Sequence, residues 1–135
     1  MTVIGIVGGV ASGKSLVARQ LHELGATVVS GDEIGHEVLR DPQVVEEIRD
    51  NWGPEVIGLD GTVDRDALAG RVFGSDSCST EQLARLERVT HPRIARRIRE
   101  RIEETKKTDR QIVVLDAAVM VKSGWDALCD LIVFV

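Results

Sequence analysis

The short segment from Gly8 to Ser15, GGVASGKS, has the residue types and spacing of a phosphate-binding loop. Glycines allow backbone conformations in which several N–H groups point at phosphate oxygens. A lysine at the end of such a loop reaches the β- and γ-phosphates, and the hydroxyl that follows it binds Mg²⁺. The segment therefore predicts that a nucleoside triphosphate is bound by Gly9, Ala11, Ser12, Gly13, Lys14, Ser15 and Leu16. A dinucleotide-binding loop is disfavoured because the GxGxxG pattern is absent.

Two carboxylates follow apolar segments that could be strands, and each has two interpretations. Asp116 ends IVVLD, where it could hold a Mg²⁺ ion together with Ser15 or cap a helix. Asp32 follows ATVVSG, where it could accept a proton from an attacking hydroxyl, or orient that hydroxyl, or cap the next helix. His91 precedes Pro92, and by residue type alone a structural role is favoured for it.

These residues must be positioned by an alternation of strands and helices. Apolar segments rich in β-branched residues predict four buried strands, namely TVIGIV, ATVVS, QIVVLD and DLIVFV. Helices are predicted after the glycine-rich loop, with Gly25 as a C-terminal cap, at about 33–40, 42–50 and 65–72, and from Ser79 onward with Gln82 completing a capping box. Pro92 should kink or restart that last helix. The alternation predicts a three-layer α/β domain around a parallel sheet.

Charge and composition limit the classes of partner. The chain of 135 residues has a net charge of -5, yet residues 85–107 contain nine Lys or Arg against four Asp or Glu. This basic stretch could be a solvated face or a site for anionic ligands. Nucleic acid is disfavoured because the chain has only four aromatic residues and none is interleaved with the basic ones. No segment predicts a membrane span or signal peptide, so we expect a cytoplasmic protein in which Cys78 and Cys129 are ordinary thiols.

Several landmarks in this order resemble the N-terminal two-thirds of the dephospho-coenzyme A kinases, a family of P-loop kinases. They are the loop 8–15, DEIGHEVL with Asp32 at the position of the family's catalytic aspartate, DGTVDRDAL at 60–68, and HPRI at 91–94. DAAVMVK at 116–122 matches a further motif in part. The phosphate-binding loop is shared with many nucleotide-binding proteins, whereas the ordered combination is much more specific.

The resemblance implies transfer of the γ-phosphoryl group of ATP to the ribose 3′-hydroxyl of dephospho-coenzyme A, the last step of coenzyme A synthesis. It implies that Lys14 and Asp32 are catalytic, that Ser15 and Asp116 hold Mg²⁺, and that Asp32, His91 and Arg93 face the acceptor. It also implies one P-loop kinase domain over 1–135, with a helical acceptor-binding insertion at roughly 33–105. The partners would be small molecules, with no nucleic acid and no membrane; the oligomeric state is not predicted.

Departures from the family pattern leave other functions open. Ala11 replaces a glycine often seen in the loop, and Ala118 and Lys122 replace a Pro and a Glu. The family's chain continues into a lid with catalytic arginines and a segment that holds the adenine, so we expect this chain to be the front part of a longer protein. A kinase for another small acceptor, such as a nucleoside monophosphate or a sugar acid, and a nucleotide-binding module without turnover are the alternatives.

Overall fold

The computed structural model describes residues 1–9, 11–73, 77–117 and 124–135, and the side chains of all of these except 77–79. Its sheet has four parallel strands in the order β2-β3-β1-β4. The strands are β1 (Thr2–Val7), β2 (Thr27–Ser30), β3 (Ile112–Asp116) and β4 (Leu131–Phe134). The helices are α1 (Lys14–Glu23), α2 (Gly31–Val38), α3 (Pro42–Trp52), α4 (Arg65–Val72) and α5 (Ser77–Lys106). The predicted α/β class is confirmed, as is each of the four predicted strands.

The sheet brings the carboxyl ends of three strands together. β3 lies between β2 and β1, and Asp116 at its end is in register with Ser30 of β2 and Ile6 of β1. The glycine-rich loop leaves the sheet immediately after β1, and α2 begins immediately after β2. Ligands of open parallel sheets bind at this edge, so the fold collects the predicted chemistry there.

The chain divides into two compact units. The first contains Met1–Ile34 and Ala95–Val135, including the whole sheet, and its core includes Ile6, Ala18 and Val114. The second contains Gly35–Ile94 and buries side chains from α3, α4 and the segments around them. Its fully buried residues include Val38, Val44, Ile48, Val56 and Val72.

Two predicted helix starts are wrong. α2 begins at Gly31, and Ser30 caps it because the Glu33 N–H donates to Ser30 Oγ at 3.2 Å. Asp32 therefore lies within the first turn and is not the N-cap residue. α5 begins at Ser77, so Ser79 lies inside the helix and does not open it.

Pro92, which was predicted to kink or restart the helix, does not restart it. α5 continues through Pro92 over 30 residues. The loss of one backbone hydrogen bond at a proline is offset when the flanking turns are held by burial. Ile94, Ile98 and Ile102 are 6%, 0% and 7% exposed, so this face of α5 supplies that burial.

The last strand is more exposed than predicted. The sequence of β4 indicates a strand buried on both faces, yet Leu131 is 48% exposed and Phe134 80% exposed. The physical reason is its place in the sheet, because β4 pairs with β1 on one side and stands at the end of the strand order. Among the described helices, none combines the length and hydropathy needed to cross a bilayer.

Candidate nucleotide-binding site

The glycine-rich loop ends where α1 begins and exposes the helix N-terminus. Gly13 has φ 92°, a left-handed conformation that side-chain-bearing residues avoid, and α1 starts at the next residue. The first helical hydrogen bond runs from Val17 N–H to Gly13 O at 3.0 Å. The N–H groups of Lys14, Ser15 and Leu16 therefore have no acceptor within the helix. Together with the positive end of the helix dipole, these donors favour an anion.

A cavity of about 540 Å³ lies against this loop. It is lined by Gly8, Gly9, Ala11, Ser12, Gly13, Lys14 and Ser15. Such a volume lies in the range of small-molecule sites. Leu16, which we also predicted to bind nucleotide, is outside this lining, and its side chain is 54% exposed.

One polar atom of the loop is buried without a partner. Within the described part of the chain, Ser12 Oγ is the buried side-chain oxygen or nitrogen that has no hydrogen bond. A buried hydroxyl normally has a partner, and a phosphate oxygen is a suitable one. A Cβ on Gly8 would lie 2.5 Å from this oxygen, so the glycine gives the serine its room. The loop thus fits a phosphate chain.

Ala11 occupies a conformation that glycine adopts more easily. Its φ is 63°, and it is the only described residue other than glycine with a positive φ. An L-residue in the left-handed region costs about 1–2 kcal/mol, so the loop has strain at this position. This gives a structural reason why a glycine would suit the position better.

Lys14 and Asp116 form an ion pair at the carboxyl edge of the sheet. Lys14 Nζ lies 2.9 Å from Asp116 Oδ1, and the two side chains are 16% and 20% exposed. Residues predicted for phosphate and for Mg²⁺ are therefore in direct contact. Ser15, the other predicted Mg²⁺ ligand, lies next to Lys14 and lines the same cavity.

Asp32 stands at the same edge with an exposed carboxylate. It occupies the first turn of α2, two residues after Ser30, whose register partner is Asp116. The dipole of α2 favours a negative charge at this position. No hydrogen bond or ion pair engages the Asp32 carboxylate among the residues that the structure covers, so its oxygens are open to a ligand.

His91 and Arg93 lie on α5, in the second unit. Arg93 forms an ion pair with Glu47 of α3, with its Nη1 and Nη2 each 3.2 Å from a carboxylate oxygen. Arg93 Nη1 also donates to Val89 O at 2.8 Å. Their predicted role toward the acceptor stays a prediction. The two departures from the family motif, Ala118 and Lys122, lie outside the described residues.

Two residues with close contacts in the structure were not predicted. Gly31 is buried at the start of α2, where a Cβ would lie 2.9 Å from Cβ of Ala117 and 3.4 Å from the Trp125 ring. The sequence feature that could have identified Gly31 is its position directly before Asp32. Glu47 was missed because an acid on an amphipathic helix carries no sign of its distant partner.

The family model described as Dephospho-CoA kinase matches residues 2–135. The chain belongs to the dephospho-CoA kinase family. It is 38% identical over 125 residues to the dephospho-CoA kinase of Dehalococcoides mccartyi, which covers 93% of this chain and 61% of that protein. It is 36% identical over 128 residues to that of Rhodopirellula baltica, covering 95% of this chain and 59% of the other. The chain thus spans about three fifths of the length of these curated relatives.

Two solved structures are similar to this chain. TT1252 from Thermus thermophilus superposes with a TM-score of 0.78 at 31% identity, over 99% of this chain and 64% of that one. The dephospho-CoA kinase from Campylobacter jejuni gives a TM-score of 0.76 at 24% identity, over 96% of this chain and 63% of that one. The second likeness shows the shared fold.

Proposed function

We propose that the protein transfers the γ-phosphoryl group of ATP to the ribose 3′-hydroxyl of dephospho-coenzyme A, giving coenzyme A and ADP. The observation that carries the proposal is the meeting of the glycine-rich loop, Lys14 and Asp116 at one sheet edge, in a chain of the dephospho-CoA kinase family. Phosphoryl transfer needs positioning and charge stabilisation more than covalent chemistry, and this edge offers both.

In this proposal the loop holds the phosphates and Asp32 handles the proton. The N–H groups of the loop and of the first turn of α1 donate to the β- and γ-phosphates, and the Lys14 ammonium neutralises charge on the transferred group. The 3′-oxygen forms a bond to the γ-phosphorus while the bond from that phosphorus to the β,γ-bridging oxygen breaks. Asp32 accepts the proton of the 3′-hydroxyl, and ADP leaves.

Mg²⁺ fits the residues at this edge. The Ser15 hydroxyl and the Asp116 carboxylate are oxygen donors, the kind that Mg²⁺ prefers, and it usually binds through one or two carboxylates together with substrate phosphates. No cluster of three or more His, Cys, Asp or Glu able to hold a metal by itself occurs in the ranges that the structure describes. When bound with the nucleotide, the ion would offset negative charge on the phosphates.

A cytoplasmic location stays a prediction from the sequence.

An acceptor panel tests the proposal. The full-length gene product would be given Mg-ATP with dephospho-coenzyme A, a nucleoside monophosphate or a sugar acid, and ADP release would be followed by a coupled assay. We expect ADP release that depends on dephospho-coenzyme A, together with a product of the mass of coenzyme A. Release with another acceptor would assign a different kinase. Binding of ATP with no acceptor-dependent release would favour a nucleotide-binding module.

A further inference from the structure

A small basic cavity lies in the second unit, where α2 ends and α4 begins. It has a volume of about 140 Å³ and is lined by His36, Leu39, Arg40, Thr62, Val63 and Arg65. This volume is well below that of a site for a drug-sized ligand. Three of the six lining side chains are basic and none is acidic, in a chain whose net charge is -5. The cavity therefore suits a small anionic group.

Arg65 is placed where a cation is unfavourable unless an anion accompanies it. It is the first residue of α4, directly after the N-cap Asp64, whose carboxylate is occupied by the N–H groups of Asp66 and Ala67. The positive end of a helix dipole repels a guanidinium. Within the described ranges, no carboxylate lies within ion-pair distance of Arg65.

The partner of Arg65 is a second basic side chain. Arg65 Nη1 is hydrogen-bonded to Nε2 of His36, in the last turn of α2. A guanidinium has no lone pair to offer, so Arg65 Nη1 is the donor and His36 Nε2 the acceptor of this bond. A phosphate oxygen beside this pair would accept hydrogen bonds from the remaining N–H groups of the Arg65 guanidinium and from the other ring nitrogen of His36, Nδ1.

The loop that closes the cavity is held independently of any ligand. The N–H and Oγ1 of Thr62 donate to Asp60 Oδ1 at 3.1 and 2.8 Å. These bonds, and to a smaller extent the charge of Arg40, lower the pKa of Asp60. Gly58 N–H donates to Thr62 O at 2.7 Å, and Ile57 pairs with Val63 in an antiparallel bridge. A loop fixed in this way presents its neighbours in a set geometry, which reduces the cost of ordering them on binding.

We propose that this cavity binds a phosphate or diphosphate group through Arg40, Arg65 and His36. One source of this group is the acceptor named under Proposed function, which carries a diphosphate, and this choice rests on the proposed function. The other source is a free phosphate or diphosphate ion. Arg93 is less suited to this task, because Glu47 already occupies its guanidinium.

The binding experiment uses inorganic pyrophosphate without nucleotide or metal ion. The amide resonances of Thr62 to Asp66 would be followed by NMR, separately from those of Gly13 to Ser15. We expect the first set to shift on titration, and Arg65→Gln to weaken that binding about tenfold or more, since hydrogen bonds to charged groups are involved. Arg71→Gln, which removes a cation from the last turn of the same helix, should leave it unchanged.

A titration that shifts no amide from Thr62 to Asp66, or one that Arg65→Gln and Arg71→Gln weaken equally, would overturn the proposal. The source is decided by repeating it with dephospho-coenzyme A and by steady-state kinetics. If the acceptor supplies the diphosphate, the same amides shift and Arg65→Gln raises KM for dephospho-coenzyme A with KM for ATP unchanged. If only pyrophosphate shifts them, the site serves a free anion. Pyrophosphate binding by a protein without kinase activity would support the site and contradict the proposed function alone.

Discussion

The ammonium group of Lys14 lies 2.9 Å from the carboxylate of Asp116, which joins the phosphate-binding loop to the end of β3. Because both side chains are mostly shielded from solvent, the attraction between their charges is only weakly screened. The phosphates of ATP would compete with Asp116 for Lys14, and Mg²⁺ would compete with Lys14 for Asp116. Binding of ATP and Mg²⁺ therefore requires this ion pair to rearrange.

Asp116→Asn should change ATP affinity in opposite directions with and without Mg²⁺. Without the ion, we expect ATP to bind several-fold more tightly, because one negative charge is removed and Lys14 no longer has a carboxylate partner. With Mg²⁺, binding should weaken, because a ligand of the ion is lost. Calorimetric titration under both conditions measures this, with Asp109→Asn as a control of equal charge. A loss of affinity under both conditions would contradict the assignment of Asp116.

Asp32→Asn should stop turnover and leave ATP binding intact. The amide cannot accept the proton of the 3′-hydroxyl, and loss of such a group lowers rates by about 10²–10⁴-fold. Turnover of the full-length gene product and the Kd for ATP would be measured together. Glu33→Gln, which removes the neighbouring acid in the first turn of α2, is the matched control. Near-normal turnover in Asp32→Asn would remove Asp32 from the mechanism.

Gly31→Ala should destabilise the protein by about 1–3 kcal/mol, because the added Cβ would lie 2.9 Å from Cβ of Ala117 and something must shift. Gly70→Ala is the counterpart, since a Cβ there meets nothing within 4 Å. It lies inside α4, so the same substitution should raise stability by up to about 1 kcal/mol. Urea denaturation would measure both. Equal effects of the two substitutions would show that close packing does not limit Gly31.

The thiol of Cys129 should be unreactive at neutral pH. Burial first, and then the charges of Asp126 and Asp130, raise its pKa from 9.0 to about 11. A raised pKa means that the fold favours the protonated thiol, so this contribution to stability is complete below pH 9 and is lost as the pH rises toward 11. The pH dependence of stability should therefore be flatter in Cys129→Ser between pH 9 and 11. Rapid alkylation of native Cys129 at pH 8 would contradict this account.

The strands and the loop could be predicted from the sequence because their signals are local. Buried parallel strands are short apolar segments, and the loop needs its own eight residues and no distant partner. α4 was predicted correctly at Arg65–Val72 for the same reason. What could not be predicted depends on contacts between distant segments, such as the pairing of Arg93 with Glu47 and the exposure of β4 at a sheet edge.

The capping of α2 shows that local sequence does not always decide a helix boundary. Ser30 and Asp32 are both good capping residues, and a pattern of residue types does not decide between them. In the structure Ser30 is the capping residue, because β2 ends there and α2 begins at Gly31. The choice matters for function, since it leaves the carboxylate of Asp32 without a capping bond.

The most direct measurement of the central claim is a titration of the isotopically labelled protein with Mg-ATP, followed residue by residue by NMR. If the loop binds the phosphates, the amide resonances of Gly9 and of Ser12 to Ser15 shift together, and Lys14→Ala removes the shifts. Shifts confined to other parts of the protein, or shifts of these amides that persist unchanged in Lys14→Ala, would contradict the account.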